Sequence, residues 1–281
     1  MALSAGKPLG RPWICIFSKH MAQLDWDQLG REAKRIGFDG VDLTVRPQGH
    51  VEPQRVKEDL PAAVAAIRAH QLQVPMITTG VTTASDRAAD PTLATAGELG
   101  IPFWKPGYVR YNLDDVEASL TRARQGYASL VALGKRYRIA AGFHNHSGDY
   151  VGAAVWDLRS LLEDLDPQWA GYYFDPGHAT IEGGLAGWRI AQTIVSQRLK
   201  MVAVKDFYWT RTARGWKPEW CPLGEGMVDW DKVFANLART GFRGPISLHI
   251  EYETKNELDA IARDFAFLRR QVEKAYGGSQ G

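Results

Sequence analysis

Residues 139–175 read IAAGFHNHSGDYVGAAVWDLRSLLEDLDPQWAGYYFD and contain one complete repeating unit of the predicted fold. Two β-type runs, 139–146 and 171–175, flank a helix-type segment at Val155–Leu165, which stops before Asp166-Pro167. A strand, a helix and a second strand in this order predict two parallel strands joined by a right-handed crossover.

The same unit recurs along the chain. The β-type runs are 13–17, 40–45, 74–79, 101–106, 139–146, 171–175, 200–206 and 245–251. The helix-type segments are Trp26–Ile36, Val56–His70, Pro91–Leu99, Val116–Tyr137, Val155–Leu165, Trp188–Arg198, Asp231–Thr240 and Glu257–Tyr276. Eight alternating units predict an α/β protein with a single (β/α)8 TIM barrel. We expect one domain over residues 1–281, with the barrel at about 13–276 and a frayed tail at 277–281. A doubly wound sheet is the alternative, but no Gly-rich phosphate turn follows the first run.

Composition excludes several classes of protein. Lys+Arg total 34 and Asp+Glu 32, so the net charge of +2 argues against a nucleic-acid-binding protein. The sequence contains no uninterrupted run of 18 apolar residues, so it predicts no membrane span. The segment MALSAGKPLGRPW lacks the apolar region of a signal peptide. The two cysteines, Cys15 and Cys221, are too few for a disulfide framework. We therefore expect a reduced, cytoplasmic protein that binds neither nucleic acid nor membrane.

Polar residues follow several strands at the end where TIM barrels carry their active sites. Side chains alternate between the two faces of a strand, so apolar Leu248 and Ile250 place Glu251 toward the barrel axis. The same alternation directs a larger set to the mouth of the barrel: His144, Asp175, Lys205 and Glu251. Burying these groups requires pairing or a metal ion, and their oxygen and nitrogen atoms suit Mn, Zn, Co or a similar ion. Asp42 and Lys105, at the ends of strands 2 and 4, are expected to bind the substrate.

These motifs together resemble the sugar phosphate isomerase/epimerase family, whose barrel is xylose isomerase-like. The motifs are GFDGVDL (37–43), HNHSG (144–148), FDPGHA (174–179), VKDF (204–207), PLGEGMVDW (222–230) and PISLHIEYE (245–253). The resemblance implies a divalent metal held by a strand-5 Glu, a strand-6 Asp, a strand-7 His and a strand-8 Glu. Asp175 and Glu251 match two of these positions, and His178 matches a family histidine that contacts a substrate oxygen. His144 and Ala203 depart from the other two.

The resemblance and its departures lead to specific expectations for this site. We expect a divalent ion (Mn, Mg, Co or Zn) on Asp175, Glu251, His144 and His146, with a weakly held or absent metal as the alternative. The expected catalytic residues are Glu251, His144, His178 and Lys205. Relatives of this kind move a proton next to a carbonyl through an enediolate, using two carboxylates.

Three functions stay open from the sequence. The first is a metal-assisted isomerase or epimerase of a sugar or polyol. The second is a keto-sugar or keto-inositol lyase or dehydratase, because an asymmetric pair of Glu251 and a histidine suits β-elimination equally well. The third is a non-catalytic carbohydrate-binding barrel. Since no Gly-rich phosphate cradle is present, the expected carbohydrate is unphosphorylated.

One long segment, Phe207–Gly224, follows strand 7 on the catalytic face. It carries three tryptophans, Trp209, Trp216 and Trp220, and loops of this length without regular structure are usually functional. We expect a lid or substrate wall whose aromatic rings stack on a sugar. The alternative is a contact in a homo-oligomer, for which exposed tryptophan is equally suited.

Overall fold

Ten strands are present in the computed structural model, which describes residues 10–277. They are β1 Ile14–Phe17, β2 Gly40–Val45, β3 Gln73–Thr79, β4 Phe103–Lys105, β5 Ala140–His144, β6 Ala170–Phe174, β7 Leu199–Val204, β8 Asp206–Thr212, β9 Gly215–Cys221 and β10 Ile246–Leu248. Eight of them pair in parallel and close into a barrel in the order β1-β10-β7-β6-β5-β4-β3-β2. The closed parallel barrel confirms the predicted fold.

Helices surround the barrel and cover the outer faces of its strands. In the described part of the chain they are α1 Trp26–Ile36, α2 Val56–Ala69, α3 Ala89–Glu98, α4 Val116–Tyr137, α5 Val155–Leu162, α6 Pro176–Val195, α7 Trp230–Arg239 and α8 Glu257–Tyr276. The large apolar cluster of the core lies between these helices and the strands. Eight strands and eight helices make this a (β/α)8 TIM barrel.

Helix α6 differs from its prediction because it begins at Pro176 and not at Trp188. The side chain of Asp175 caps the helix by accepting a hydrogen bond from the backbone N–H of His178, and Pro176 suits the first helical position. The chain leaves helical geometry at Gly184, where φ is 54° and ψ is −140°. Because of this interruption, the apolar residues before Gly184 do not continue the helical spacing of those after it, so the sequence pattern did not reveal the first part of α6.

The segment after β7 also differs from its prediction, since it forms a β-hairpin and not an irregular loop. Strands β8 and β9 pair antiparallel from Asp206↔Cys221 to Thr212↔Gly215. The base of the hairpin is fixed by the buried carboxylate of Asp206. It accepts hydrogen bonds from the backbone N–H groups of Phe207, Gly224, Gly226 and Val228 and from the indole N–H of Trp230. The carboxylate therefore anchors both the hairpin and the segment that leads into α7.

The barrel interior is filled by side chains in layers. Met76, Tyr173, Met201 and Ala203 form one apolar layer. Next to it lies Asp42, fully buried, which accepts hydrogen bonds from the hydroxyls of Thr78 (2.8 Å), Ser247 (2.9 Å) and Tyr173 (3.2 Å). These contacts close the barrel beneath its C-terminal mouth.

Other sequence expectations concern the chain as a whole. Cys15 and Cys221 are both buried and free. Between residues 10 and 277, no helix combines the length and apolarity needed to cross a bilayer. Of the expected frayed tail, Gly277 ends α8, whereas 278–281 lie outside the described residues, as do 1–9.

Candidate active site

A cavity of about 210 Å³ opens at the C-terminal ends of the barrel strands. It is lined by Phe17, Lys19, Arg46, Thr78, Lys105, Tyr108, His144, His146, Tyr173, Lys205, Trp220, His249 and Glu251. TIM-barrel enzymes carry their active sites at this end of the barrel. The volume is below that of pockets for drug-sized ligands and suits a molecule the size of a monosaccharide.

Asp175 lies at the base of this cavity and is fully buried. Its backbone is fixed by Asn145, whose side chain donates to the Asp175 carbonyl (3.0 Å) and accepts from the Asp175 N–H (2.8 Å). One carboxylate oxygen, Oδ1, caps α6. The other, Oδ2, faces Lys205 Nζ at 3.4 Å, His144 Nε2 at 3.6 Å and His178 Nε2 at 3.9 Å. Burial raises the pKa of Asp175, and the ammonium of Lys205 counteracts this rise.

Three histidines surround Asp175 and are uncharged near neutral pH. Burial, followed by the nearby charge of Lys205, lowers the pKa of His144 and of His178 well below the usual value, and the same two causes lower that of His146 to about 4. The Tyr108 hydroxyl lies 3.0 Å from Nδ1 of His144. Neutral imidazole rings can accept a proton, so each is chemically able to act as a base.

Glu251 lies on the rim of the cavity, after β10. Its carboxylate accepts a hydrogen bond from Lys19 Nζ at 2.9 Å. Burial raises the pKa of Glu251, but the positive charges of Lys205 and Lys19 outweigh burial and lower it to about 2. The carboxylate is therefore ionised at neutral pH, as a general base must be.

Two of the residues predicted to bind substrate line the cavity with their side chains. Lys105 is 3% exposed, and its Nζ lies 3.3 Å from the centre of the Tyr108 ring. Trp220, on β9, lies with its ring centre 4.8 Å from Lys205 Nζ and 5.2 Å from the centre of the His178 ring. The base of the hairpin thus provides an aromatic wall beside the charged groups.

The structure places three other predicted substrate residues elsewhere. Asp42 lies beneath the cavity, where three hydroxyls occupy its oxygens, because its position on β2 is one layer deeper than the mouth. Trp209 contributes to a different cavity, beside α6, and Trp216 lies near the hairpin turn with 67% of its surface exposed. Trp209 pairs with Pro218 and Trp216 with Arg211, so both rings lie farther toward the hairpin turn than Trp220.

Sequence reasoning missed several residues of the site. Arg46 directly follows β2. Lys19 lies in η1, the short 3-10 turn Ser18–Met21 that follows β1, and the position of both residues after a strand was the available signal. Tyr108 follows β4 on a loop whose path the sequence does not reveal. Asn145 occupies the middle of HNH, and its amide binds both backbone groups of Asp175. Amide spacing in the sequence gives no sign of this contact across two strands.

A divalent ion needs several donor atoms around one point, and the predicted metal ligands can be tested against this requirement. Asp175 Oδ2 and His144 Nε2 are buried without a hydrogen-bond partner among the described residues, as ligand atoms would be. However, Lys205 Nζ lies beside that same carboxylate oxygen, and Glu251 is bonded to Lys19. Four donors around one ion are therefore not formed by Asp175, Glu251, His144 and His146 in this arrangement.

A different trio comes closer together. Within residues 10–277, His20, His249 and Glu251 have potential ligand atoms within 4.8 Å of one another. Other bonds already engage both rings: Nε2 of His20 accepts a hydrogen bond from the backbone N–H of Ile250, and Nε2 of His249 lies 3.1 Å from the Tyr173 hydroxyl. This trio is a weak candidate for a metal site.

The model of the family described as "Xylose isomerase-like TIM barrel" matches residues 31–271. The chain belongs to this family. A curated relative of the xylose isomerase-like barrel described here, an uncharacterised protein from Methanocaldococcus jannaschii, is 25% identical over 164 residues. The match covers 57% of this chain and 50% of that protein, so it spans only about half the length of the relative.

Several solved structures share the fold over most of the chain. An L-ribulose 3-epimerase has a TM-score of 0.74 at 15% identity, covering 96% of this chain and 97% of its own. The probable 3-DHS dehydratase from Bacillus anthracis has a TM-score of 0.70 at 13% identity, covering 92% and 98%. A barrel protein from Mycobacterium smegmatis, solved in complex with magnesium, has a TM-score of 0.68 at 14% identity, covering 89% of each chain. Identities this low demonstrate a common fold.

Proposed function

We propose that the chain is an isomerase or epimerase of a monosaccharide-sized sugar or polyol, acting by proton transfer next to a carbonyl group. The observation that carries this proposal is the convergence of an ionised carboxylate, neutral imidazoles and a buried ammonium on one small cavity. Such a set contains a base, a second proton carrier and a positive charge. The similarity to an L-ribulose 3-epimerase supports the same reaction class.

Each residue has a role that follows from its surroundings. Glu251, ionised at neutral pH, removes the proton from the carbon next to the carbonyl. The ammonium of Lys205 stabilises the negative charge that develops on the carbonyl oxygen, because few water molecules screen it in this buried place. His144, in contact with the Tyr108 hydroxyl, carries a proton to or from the substrate.

His178 and Trp220 support the site in different ways. His178 is fully buried behind the cavity, where its Nδ1 lies 2.8 Å from the Ser147 hydroxyl and its Nε2 faces Asp175. Trp220 offers a flat apolar surface to the carbohydrate ring.

A lyase or dehydratase is the second candidate. The two groups proposed to move protons are of different types, a carboxylate of low pKa and an imidazole, and elimination of a β-substituent needs one base and one acid. The shared fold with a probable 3-DHS dehydratase supports this alternative. A non-catalytic binding barrel is the third and is excluded if turnover is found.

Metal dependence stays a prediction from the sequence and is supported by the magnesium complex of one similar barrel protein. No step above passes through a metal ion, because the predicted ligands do not converge and Lys205 already places a positive charge beside Asp175. The same activity assay with and without EDTA, together with the metal content of the purified protein, tests this prediction.

Solvent isotope exchange tests the proposed reaction. The protein is incubated in D2O with ketopentoses and ketohexoses, and NMR follows deuterium entering the carbon next to the carbonyl. We expect exchange in the wild type and a loss of about 10³-fold in Glu251→Gln, since general-base catalysis contributes on this scale. Glu253→Gln, an exposed neighbour, is the matched control and should exchange normally.

The products separate the candidates. An epimerised or isomerised sugar supports the main proposal, and an unsaturated product establishes the lyase instead. If no compound in the panel exchanges while sugars still bind, the chain is a binding protein and the proposed catalysis is rejected.

A further inference from the structure

The cavity carries an excess of positive charge. Four cationic side chains line it: Lys19, Arg46, Lys105 and Lys205. Among the described lining residues Glu251 supplies the carboxylate, and Asp175 lies beneath in contact with Lys205.

Two of the four cations are paired and two are not. Lys19 binds Glu251 at 2.9 Å, and Lys205 lies 3.4 Å from Asp175. Within residues 10–277, the side chains of Arg46 and Lys105 form no hydrogen bond or ion pair with a carboxylate. Each instead approaches an aromatic ring: Arg46 Cζ lies 5.6 Å from the centre of the Phe17 ring, and Lys105 Nζ lies 3.3 Å from that of Tyr108.

Leaving Lys105 unpaired is unfavourable for the free protein. Its side chain is 3% exposed, and a buried charge without a partner is destabilising. Burial and the neighbouring charge of Arg46 lower the pKa of Lys105 well below its usual value, so an anion bound beside it would favour the charged form. Among the described residues, the nearby carboxylate of Asp42 forms no ion pair with Lys105, and its oxygens accept hydrogen bonds from Thr78, Ser247 and Tyr173. The cavity is therefore built to receive a negative charge.

The topology places these two cations across the mouth from Lys205. Arg46 follows β2 and Lys105 ends β4, so the two residues flank β3. Lys205 follows β7, which lies opposite β3 in the eight-stranded barrel, whereas His144 ends β5 and is the neighbour of Lys105. A substrate that spans the mouth can thus place an acid group near Arg46 and Lys105 and its carbonyl near Lys205.

We propose that Arg46 and Lys105 bind a carboxylate of the substrate, which is then a monosaccharide-sized carbonyl compound bearing an acid group. The identity of the reaction rests on the proposed function, whereas the acid subsite rests on the two unpaired cations. A guanidinium matches the two oxygens of a carboxylate.

Binding measurements test the subsite without requiring turnover. Isothermal titration at fixed ionic strength compares D-glucuronate with D-glucose and D-glucose 6-phosphate on the wild-type protein. We expect D-glucuronate to bind about tenfold or more tightly than D-glucose, as charge-assisted hydrogen bonds are stronger than neutral ones. The preference should disappear in Lys105→Met and in Arg46→Gln, and persist in Lys34→Met, which alters an exposed lysine on α1.

The outcomes distinguish this subsite from the proposed reaction. Equal binding of D-glucuronate and D-glucose, or an undiminished preference in both variants, overturns the subsite even if isotope exchange on a neutral ketose succeeds. Tighter binding of D-glucose 6-phosphate than of D-glucuronate overturns the carboxylate in favour of phosphate. A carboxylate preference in a protein without isotope exchange leaves the subsite standing and rejects the catalysis.

Discussion

Asp175 combines a structural and an electrostatic role in one carboxylate. Its Oδ1 caps α6, and its Oδ2 balances the ammonium of Lys205 at 3.4 Å. Asn145 holds its backbone from the neighbouring strand with two hydrogen bonds. A side chain with two engaged oxygens can be altered so that one role is kept and the other lost.

Two substitutions of Asp175 separate these roles. Asp175→Asn keeps an acceptor for the helix cap but removes the charge beside Lys205, whereas Asp175→Ala removes both. We expect catalytic activity to be lost in both variants, and Asp175→Ala to have a free energy of unfolding about 1 kcal/mol lower than Asp175→Asn. Urea unfolding and the isotope-exchange assay measure the two effects. Equal stabilities would show that the cap contributes nothing.

The base and the turn of the hairpin β8–β9 have different surroundings. Its base is held by Asp206, and Trp220 lines the cavity beside Lys205. Trp216, near the turn, is largely exposed. We therefore expect Trp220 to contact the substrate and Trp216 to be available to a partner.

Matched tryptophan substitutions test this division of the hairpin. We expect Trp220→Ala to weaken the binding of D-glucuronate or of the substrate by about tenfold or more, since an aromatic contact and a cation–π contact are both removed. Trp216→Ala should leave binding unchanged. Sedimentation velocity of both variants shows whether Trp216 contributes to a homo-oligomer. Weaker binding in Trp216→Ala with normal binding in Trp220→Ala would reverse the assignment.

Histidines dominate the acid response of the whole molecule. Six of the seven have a pKa that burial lowers: His20, His50, His144, His146, His178 and His249. Unfolded histidine binds a proton near pH 6.5, whereas His20 and His146 in the folded protein bind one only near pH 4. Between these values the unfolded state holds more protons, so stability is lost as the pH falls. Asp42, whose pKa burial raises to about 6, acts in the opposite direction.

Acid destabilisation should be measurable well above the range where carboxylates usually titrate. Urea unfolding at pH 7 and pH 5 is expected to show a lower free energy of unfolding at pH 5. Each buried histidine contributes up to about 1.4 kcal/mol per pH unit. His20→Gln keeps an acceptor for the Ile250 N–H and should reduce the loss of unfolding free energy between pH 7 and pH 5 by about 2 kcal/mol. An unchanged difference in this variant would contradict the assignment to His20.

Strand alternation was enough to bring His144, Lys205 and Glu251 to one place, because side-chain direction along a strand is a local property. Helix ends were predicted where a local signal exists, as at Gly37 after α1, whose φ is +113°. The start of α6 was missed because Gly184 interrupts its period. The hairpin was missed because its strands are stabilised by pairing with each other, from Asp206↔Cys221 to Thr212↔Gly215, and this pairing is a tertiary contact.

The sequence by itself determined the barrel, the end of it where polar side chains gather and the family resemblance, since these follow from the order of elements, the motifs they carry and alternation within strands. The tertiary structure decided which charges are paired. Lys19 meets Glu251 across 232 positions of the chain, and Asn145 binds Asp175 from a neighbouring strand. Only closure of the barrel sets such distances, and they leave Arg46 and Lys105 as the unpaired cations of the cavity.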